Sequence, residues 1–480
     1  MTDWFDKMSD FVESVRFSLL ITRREIRDQL RDWRIIFPVL ALTVFFPFLM
    51  NFTARQILGF VEKYGASIIA ERLVPFLLMI VGFFPISVSL VIALETFVGE
   101  KERGSIEPLL NSPLMDWQIY LGKLLAATVP PLVSSFLGMG VYLAGLFIKG
   151  VALPPFALLV QIAALTAVQA VMMVAGAVVV SSQATSVRAA NLLASFIIIP
   201  AALLIQGESI VMFWGNFEDL WWVVLGIFVL TILLVRVGLA HFRREELLGR
   251  EIDVLNLRWA WQRFRSEFVG EAATVWQWYA GLFSQTLPRM RFAVVAMTAL
   301  AVVGSVLGYH QINRFMIPIS ETILQDLDEN LHRMATAWAL PNLLPVLMIW
   351  WQNVRVMLLA MILGVFSLGI LGGLPLLVSM GVAGYLVALL SANGLPTLGY
   401  LAFVVPHGII EVPASILATA AIFRAGAILA TPTPDKTVGE VWLLAMADWC
   451  RVMVGIVIPA LLLAACVEAW ITPLVALRFF

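Results

Sequence analysis

The sequence predicts an all-α integral membrane protein, with about 11 membrane-spanning helices arranged as six and then five behind an N-terminal interfacial helix. Three observations predict it. Hydrophobic residues make up 61% of the 480-residue chain and charged residues 13%, with a mean hydropathy of +0.93; an ordinary soluble domain is about half apolar and a quarter charged. Apolar runs recur at roughly the 20-residue length that crosses a ~30 Å hydrocarbon core. Basic residues gather between those runs in the alternation that membrane orientation imposes. The lipid bilayer is therefore the first expected partner. A net charge of −1 gives no reason to expect nucleic acid.

The first element is Phe11 to Trp33, where apolar residues mix with Arg23, Arg24, Arg27 and Arg31. That pattern suits a helix lying at the inner interface; a plain solvated basic helix is the alternative. The N-terminus lacks the basic n-region and cleavage site of a secretory signal, so its removal is not expected. Six spans follow, at Ile35 to Phe52, Leu73 to Leu94, Leu124 to Ile148, Pro154 to Val180, Asn191 to Ile205 and Trp221 to Val237. Lys101, Arg103, Lys123 and Arg188 fall on the side of the arginine-rich N-terminus, and Arg243, Arg244 and Arg250 return there. The opposite side holds Gly207 to Asp219, with Glu208, Glu218 and Asp219 but no Lys or Arg. By the positive-inside rule both ends of this half, residues 1–250, are cytoplasmic.

Residues 251–291 read as a connector of interfacial helices, since Trp259, Trp261, Trp276 and Trp278 accompany Arg258, Arg263 and Arg265 and both residue types favour the headgroup zone. A small soluble helical domain is the alternative, though it is too short to bury much core. The last part, residues 292–480, opens with Phe292 to Tyr309 and an acidic, amphipathic outer segment from Gln311 to His332. Spans follow at Val354 to Ile370, Leu374 to Leu390, roughly Ile409 to Ala430, and Val454 to Ile471. Pro341 to Trp351 reads either as an interfacial helix or as the start of the next span. An odd total places the C-terminus outside. With Cys450 and Cys466 alone, neither a disulfide framework nor a four-cysteine zinc site can be built.

The most informative stretch is ETFVGEKERGSIEPLLNSPLMDWQIYLGKLL, Glu95 to Leu125. Gly104 is placed to end one helix, Ser105 to cap a second and Pro113 to stop it, giving a short helix between two spans. The ordered set Glu100, Glu102, Gly104, Ser105, Ile106, Glu107, Leu109, Leu110, Ser112, Pro113, Gly122 and Lys123 resembles the first cytoplasmic loop of type-2 ABC exporter permeases of the NatB-like class. The resemblance implies a coupling element that docks on an ABC ATPase subunit; an ordinary charged loop is the plain reading. Ser181 to Leu204 is similar to the second cytoplasmic loop of the same family. The chain contains no G-x-x-x-x-G-K-[ST] phosphate loop, so it is expected to bind no cofactor, with ATP and Mg carried by the partner ATPase. Two ATPase subunits need two permease halves, which implies a homodimer or pairing with a second permease.

From Trp351 on, WQNVRVMLLAMILGVFSLGILGG, SANGLPTLGYLAFVVPHGIIEVPASILATAAIFRAG and CVEAWITP resemble the five-span stage II sporulation protein M family. Asn353, Arg355, Gly364, Asn393, Gly394, Pro406, His407, Gly408, Glu411, Pro413, Ala414, Glu468 and Pro473 carry the resemblance. His407 and Glu411 are four apart, on one helix face. A carboxylate in so apolar a run must be protonated, paired or facing water. The candidate intramembrane polar cluster is Asn353, Arg355, His407, Glu411, Arg424 and Glu468. It reads as a structural stitch between helices, as a substrate or proton path, or as a metal or hydrolytic site. Against a metal stands the lack of the paired-histidine spacing of zinc proteases, so none is expected.

Together the resemblances imply the permease subunit of an ATP-driven ABC exporter, in the cell membrane, fused to a sporulation-protein-M-like domain. One alternative is a non-transporting scaffold or mechanotransmission component of a peptidoglycan-remodelling complex, with which the second family is associated. Another is an intramembrane hydrolase centred on His407 and Glu411. The chain itself is not expected to be an enzyme.

Overall fold

The computed structural model describes residues 2–64, 67–184, 186–193, 195–214, 217–242, 257–313, 343–394, 397–431 and 438–476, and among these it holds helices and no strand. Ten helices are long and apolar enough to cross a membrane, and α8 below adds a shorter apolar stretch, Pro200–Met212. The expected count of about 11 agrees. The chain divides into two units, Met1–Leu255 and Asn256–Phe480.

In the first unit, α1 (Thr2–Gln29) precedes α2 (Trp33–Tyr64), α3 (Ser67–Glu102), the short α4 (Glu107–Leu110), α5 (Asp116–Ile148), α6 (Phe156–Gln183), α7 (Val187–Leu193), α8 (Ser195–Trp214) and α9 (Leu220–His241). Helix α3 is the centre, packed against α2, α5 and α6, while α1 lies along α5 and α9 along α6. Pro38, Pro47, Pro75 and Pro85 stand inside α2 and α3, which membrane helices tolerate because neighbours re-satisfy the freed carbonyls. Gly122 lets α1 and α5 touch: a Cβ there would lie 2.8 Å from Ile21 Cβ and 2.9 Å from the Ser18 carbonyl oxygen. The Thr22 hydroxyl then donates to the Gly122 carbonyl at 3.0 Å. The expected outer loop is shorter than predicted, because Gly207 and Glu208 lie inside α8. An apolar span extended by one acid reads as loop in sequence, yet this acid is buried among helices.

In the second unit, α10 (Leu257–Val269) and α11 (Val275–Gly281) precede α12 (Arg291–His310), α13 (Leu343–Phe366), α14 (Leu374–Ala392), α15 (Thr397–Leu429) and α16, which runs from Val438 to Ala476 through two π-helical turns, Met453–Val457 and Val467–Ile471. Of the segment Pro341 to Trp351, residues from Leu343 on form the start of a span, since α13 is continuous from there, and Pro341 and Asn342 lie outside the described residues. That span stops at Phe366, short of Ile370, because Leu368 and Gly369 take φ of 50° and 88° and turn the chain. Helix α15 starts at Thr397, well before Ile409, with Pro406 and Pro413 absorbed in its interior. Glycines bring α12 and α14 together: a Cβ at Gly308 or Gly384 would strike the carbonyl of Gly381 or Ser305 respectively. This is the small-residue packing that membrane helices use for close approach. Helix α10 packs on α16, with Arg263 and Glu440 paired at 2.8 Å and the Trp278 indole N–H donating to the Phe268 carbonyl at 2.7 Å. The outer segment beyond Asn313 and connector residues 243–256 lie outside the described residues.

Candidate functional site

The α3–α5 connection is built as a rigid bracket. Helix α3 ends in a Schellman cap, in which Gly104 at φ 66° allows Ser105 N–H to donate to the Glu100 carbonyl at 3.0 Å and Gly104 N–H to the Lys101 carbonyl at 3.1 Å. Ser105 does not cap α4. Its hydroxyl turns back to the Glu100 carbonyl at 3.4 Å, and the N-cap position falls to Ile106, without a side-chain bond. Ile106 is 1% exposed and pins the loop, leaving Glu107 and Pro108 on the surface. Helix α4 ends at Leu110, three residues before Pro113, and the Ser112 hydroxyl donates to the Leu109 carbonyl at 2.6 Å. The Gln118 side chain accepts from Met115 N–H at 2.8 Å to start α5.

Lys123 closes the bracket. It is 0% exposed, with Nζ 2.9 Å from Glu100 Oε1 and 3.4 Å from Glu25 Oε1. It also donates to the Thr96 carbonyl at 3.2 Å and sits 5.4 Å from the centroid of the Phe97 ring. One ammonium therefore joins α1, α3 and α5. A buried cation is tolerated only when carboxylates and hydrogen-bond acceptors surround it, and here they do. Three further hydrogen bonds join the end of α3 to α6 and α7: Glu102 Oε1 accepts from Val187 N–H, at the start of α7, at 2.8 Å, and Ser181 Oγ, near the end of α6, accepts from the N–H groups of Phe97 and Val98 at 3.0 and 3.1 Å.

The intramembrane residues of the second unit separate into three groups. His407, Glu411 and Glu468 converge, each offering a ligand atom within 4.8 Å of the others. The Asn353 side chain of α13 lies beside the Glu411 carboxyl, and Thr472 Oγ1 lies 3.3 Å from His407 Nδ1. Arg424 is elsewhere on α15, with Nη1 2.5 Å from Asp448 Oδ2. Arg355 hydrogen-bonds Gln352 and is exposed.

Residues 19–214 match the family ABC-2 family transporter protein, and residues 292–473 match Stage II sporulation protein M. The chain joins an ABC-2 transporter domain to a sporulation protein M domain. Comparison with curated proteins and with solved structures returned no match.

The ABC-2 domain is a permease-type membrane component, and the bracket lies within it. One acid that the sequence assigns to an outer loop is buried there: Glu208, 1% exposed, accepts from the Gln169 amide at 2.6 Å, while its Oε2 has no partner among the described residues. In the sporulation protein M domain sequence reasoning passed over Asp448 and Thr472. Asp448 stands in WLLAMADWCRV, a stretch whose mixed polarity reads as an ordinary amphipathic turn. A buried arginine on the neighbouring span was the one available signal that an acid must face it.

Proposed function

We propose that this chain is the membrane-spanning permease subunit of an ATP-driven ABC exporter, coupled through residues 95–123 to a separate ATPase subunit that carries ATP and Mg. Two ATPase subunits closing on nucleotide need two permease halves, so the assembly holds two copies of this chain or one copy with a second permease. The chain sits in the cell membrane, its N-terminus cytoplasmic by the distribution of basic residues and its C-terminus external by the odd number of spans.

The observation that carries this reading is the bracket. Helix α4 offers Glu107 on an exposed edge, while Lys123 locks the ends of α1, α3 and α5 together. A push on α4 is then delivered to whole spans and not lost in a soft loop. Glu107→Lys reverses the charge on the exposed face without touching the buried node, so insertion and folding persist while a complementary patch on the ATPase is repelled. Co-purification of the ATPase from cells expressing the variant, together with its ATPase rate in membranes, tests docking. Loss of both is expected. Wild-type recovery and rate would refute the docking role.

A further inference from the structure

We propose that His407, Glu411 and Glu468 form a binding site for a divalent transition-metal cation, with the ligand preferences of zinc. The set joins two helices that the sequence keeps apart: His407 and Glu411 are one turn apart on α15, and Glu468 lies in the second π-helical turn of α16. All three are partly buried, in helices apolar enough to span a membrane. Their ligand atoms lie within 4.8 Å of one another. An ion at the centre of such a triangle is at most about 2.8 Å from each atom, and rotation of two glutamate side chains brings this to the roughly 2.0–2.2 Å that zinc takes from imidazole and carboxylate.

Charge is the stronger argument. Among the described residues no Lys or Arg is paired with Glu411 or Glu468: Arg424 is committed to Asp448, and Arg355 to Gln352 on an exposed face. Two carboxylates facing each other inside apolar helices repel and are poorly solvated. A divalent cation cancels both charges and accepts a neutral imidazole, leaving a neutral assembly with a coordination position open to water or another ligand. Supporting polar groups are also present, as the Asn353 side chain lies beside the Glu411 carboxyl and the Thr472 hydroxyl meets His407 Nδ1 at 3.3 Å. Metal ligands characteristically have such partners. The π-helical turn supplies an independent sign, because the extra residue re-aims a side chain and such turns recur at functional sites.

The ligands sit at one level. His407 is about ten residues inside the start of α15 and Asn353 about ten inside the start of α13, or ~15 Å along each axis. Glu468 is about as far from the end of α16. The ion therefore ties α15 to α16 near one face of the domain, with Asn353 of α13 at the same level.

The test uses the full-length chain in detergent micelles, stripped with a chelator, desalted and titrated with Zn2+, with bound metal read by mass spectrometry and fold by size exclusion and thermal melting. About one zinc per chain and a raised melting temperature are expected. His407→Ala and Glu468→Gln should each lose the bound zinc and the thermal shift, and Asn353→Ala should weaken binding by about 10–100-fold, as loss of a supporting residue does. Arg355→Ala, on another face, should bind as wild type. Substoichiometric zinc on the wild-type chain would overturn the proposal, as would full binding by His407→Ala and Glu468→Gln. The wild-type cobalt form keeps the test decisive if those variants misfold. Ligand-field bands without thiolate charge transfer support the site, and a thiolate band would assign the ion to Cys466 or Cys450 and overturn it.

Discussion

Lys123 Nζ lies 2.9 Å from Glu100 Oε1 with the lysine side chain wholly shut off from solvent. The pair joins α5 to the last turns of α3, and Glu25 brings α1 to the same ammonium. Removing the cation leaves two acids facing each other. Lys123→Met is expected to destabilise the first unit by about 3–5 kcal/mol, as loss of one partner of a buried ion pair does. Glu100→Gln should cost less because Glu25 and the Thr96 carbonyl remain. Melting in detergent ranks the two variants, and equal melting temperatures would show that the node is not what holds the three helices.

Glu102 makes a separable prediction. Its carboxylate caps the first N–H of α7 from another loop, on an exposed surface where a lost cap costs about 1 kcal/mol. Glu102→Ala should therefore leave the melting temperature nearly unchanged. Under the exporter reading it should lower ATPase stimulation, because the α3–α5 and α6–α7 connections no longer move together. A normal stimulation would mean that the contact is ornamental to coupling.

Glycines offer a paired comparison between sites where a methyl group has room and sites where it has none. A Cβ at Gly308 would strike the Gly381 carbonyl, while one at Gly226 in α9 meets nothing within 4 Å. Gly308→Ala should force α12 and α14 apart and cost about 1–3 kcal/mol. Gly226→Ala should be neutral or stabilising by up to about 1 kcal/mol, since alanine is the better helix former. Thermal melts of the two variants decide the matter, and equal shifts would exclude the close-packing account.

The spans were legible because an apolar run of membrane length has few other meanings. Their ends were less so. Pro406 to Gly408 reads as a break, but neighbouring helices let α15 continue through it. Gly207 and Glu208 read as loop, but burial against Gln169 keeps the acid within α8. The polar cluster shows the same limit. Arg355 is two residues after Asn353, about 200° further round the helix, and Arg424 is about 20 Å along the axis from Glu411. Composition grouped these residues; helix geometry separates them. Gly104 and Gly122 were recognisable as motif positions, while their causes, a left-handed cap and a helix contact, needed three dimensions.

Glu208 tests whether a buried acid acts as a stitch. Its carboxyl accepts from the Gln169 amide between α6 and α8. Glu208→Gln can still accept that bond through its amide oxygen and should melt within about 1 kcal/mol of wild type, the net worth of a typical hydrogen bond. Glu208→Ala leaves the Gln169 amide buried without its partner, which costs about 1–3 kcal/mol, and should melt clearly lower. A Gln variant as damaged as the Ala variant would show that the ionisable group itself is required.

The Arg424–Asp448 pair allows the sharpest test, because the two charges can be removed one at a time or together. Arg424 Nη1 meets Asp448 Oδ2 at 2.5 Å with little of either side chain exposed, and the contact joins α15 to α16 away from the His407 cluster. Arg424→Met strands an acid and Asp448→Leu strands a guanidinium, each inside a largely apolar bundle, so each single change should cost about 3–5 kcal/mol. The double variant strands nothing. Apolar replacements of similar volume recover most of what the pair contributed, since both charges must be desolvated to form it. The double variant should therefore melt above either single one and close to wild type, giving a large coupling free energy in the cycle. Additive losses would mean that the two side chains stabilise the bundle independently. If the cycle closes as expected while both single variants still bind zinc, the ion pair and the His407 cluster are separate devices on the same two helices.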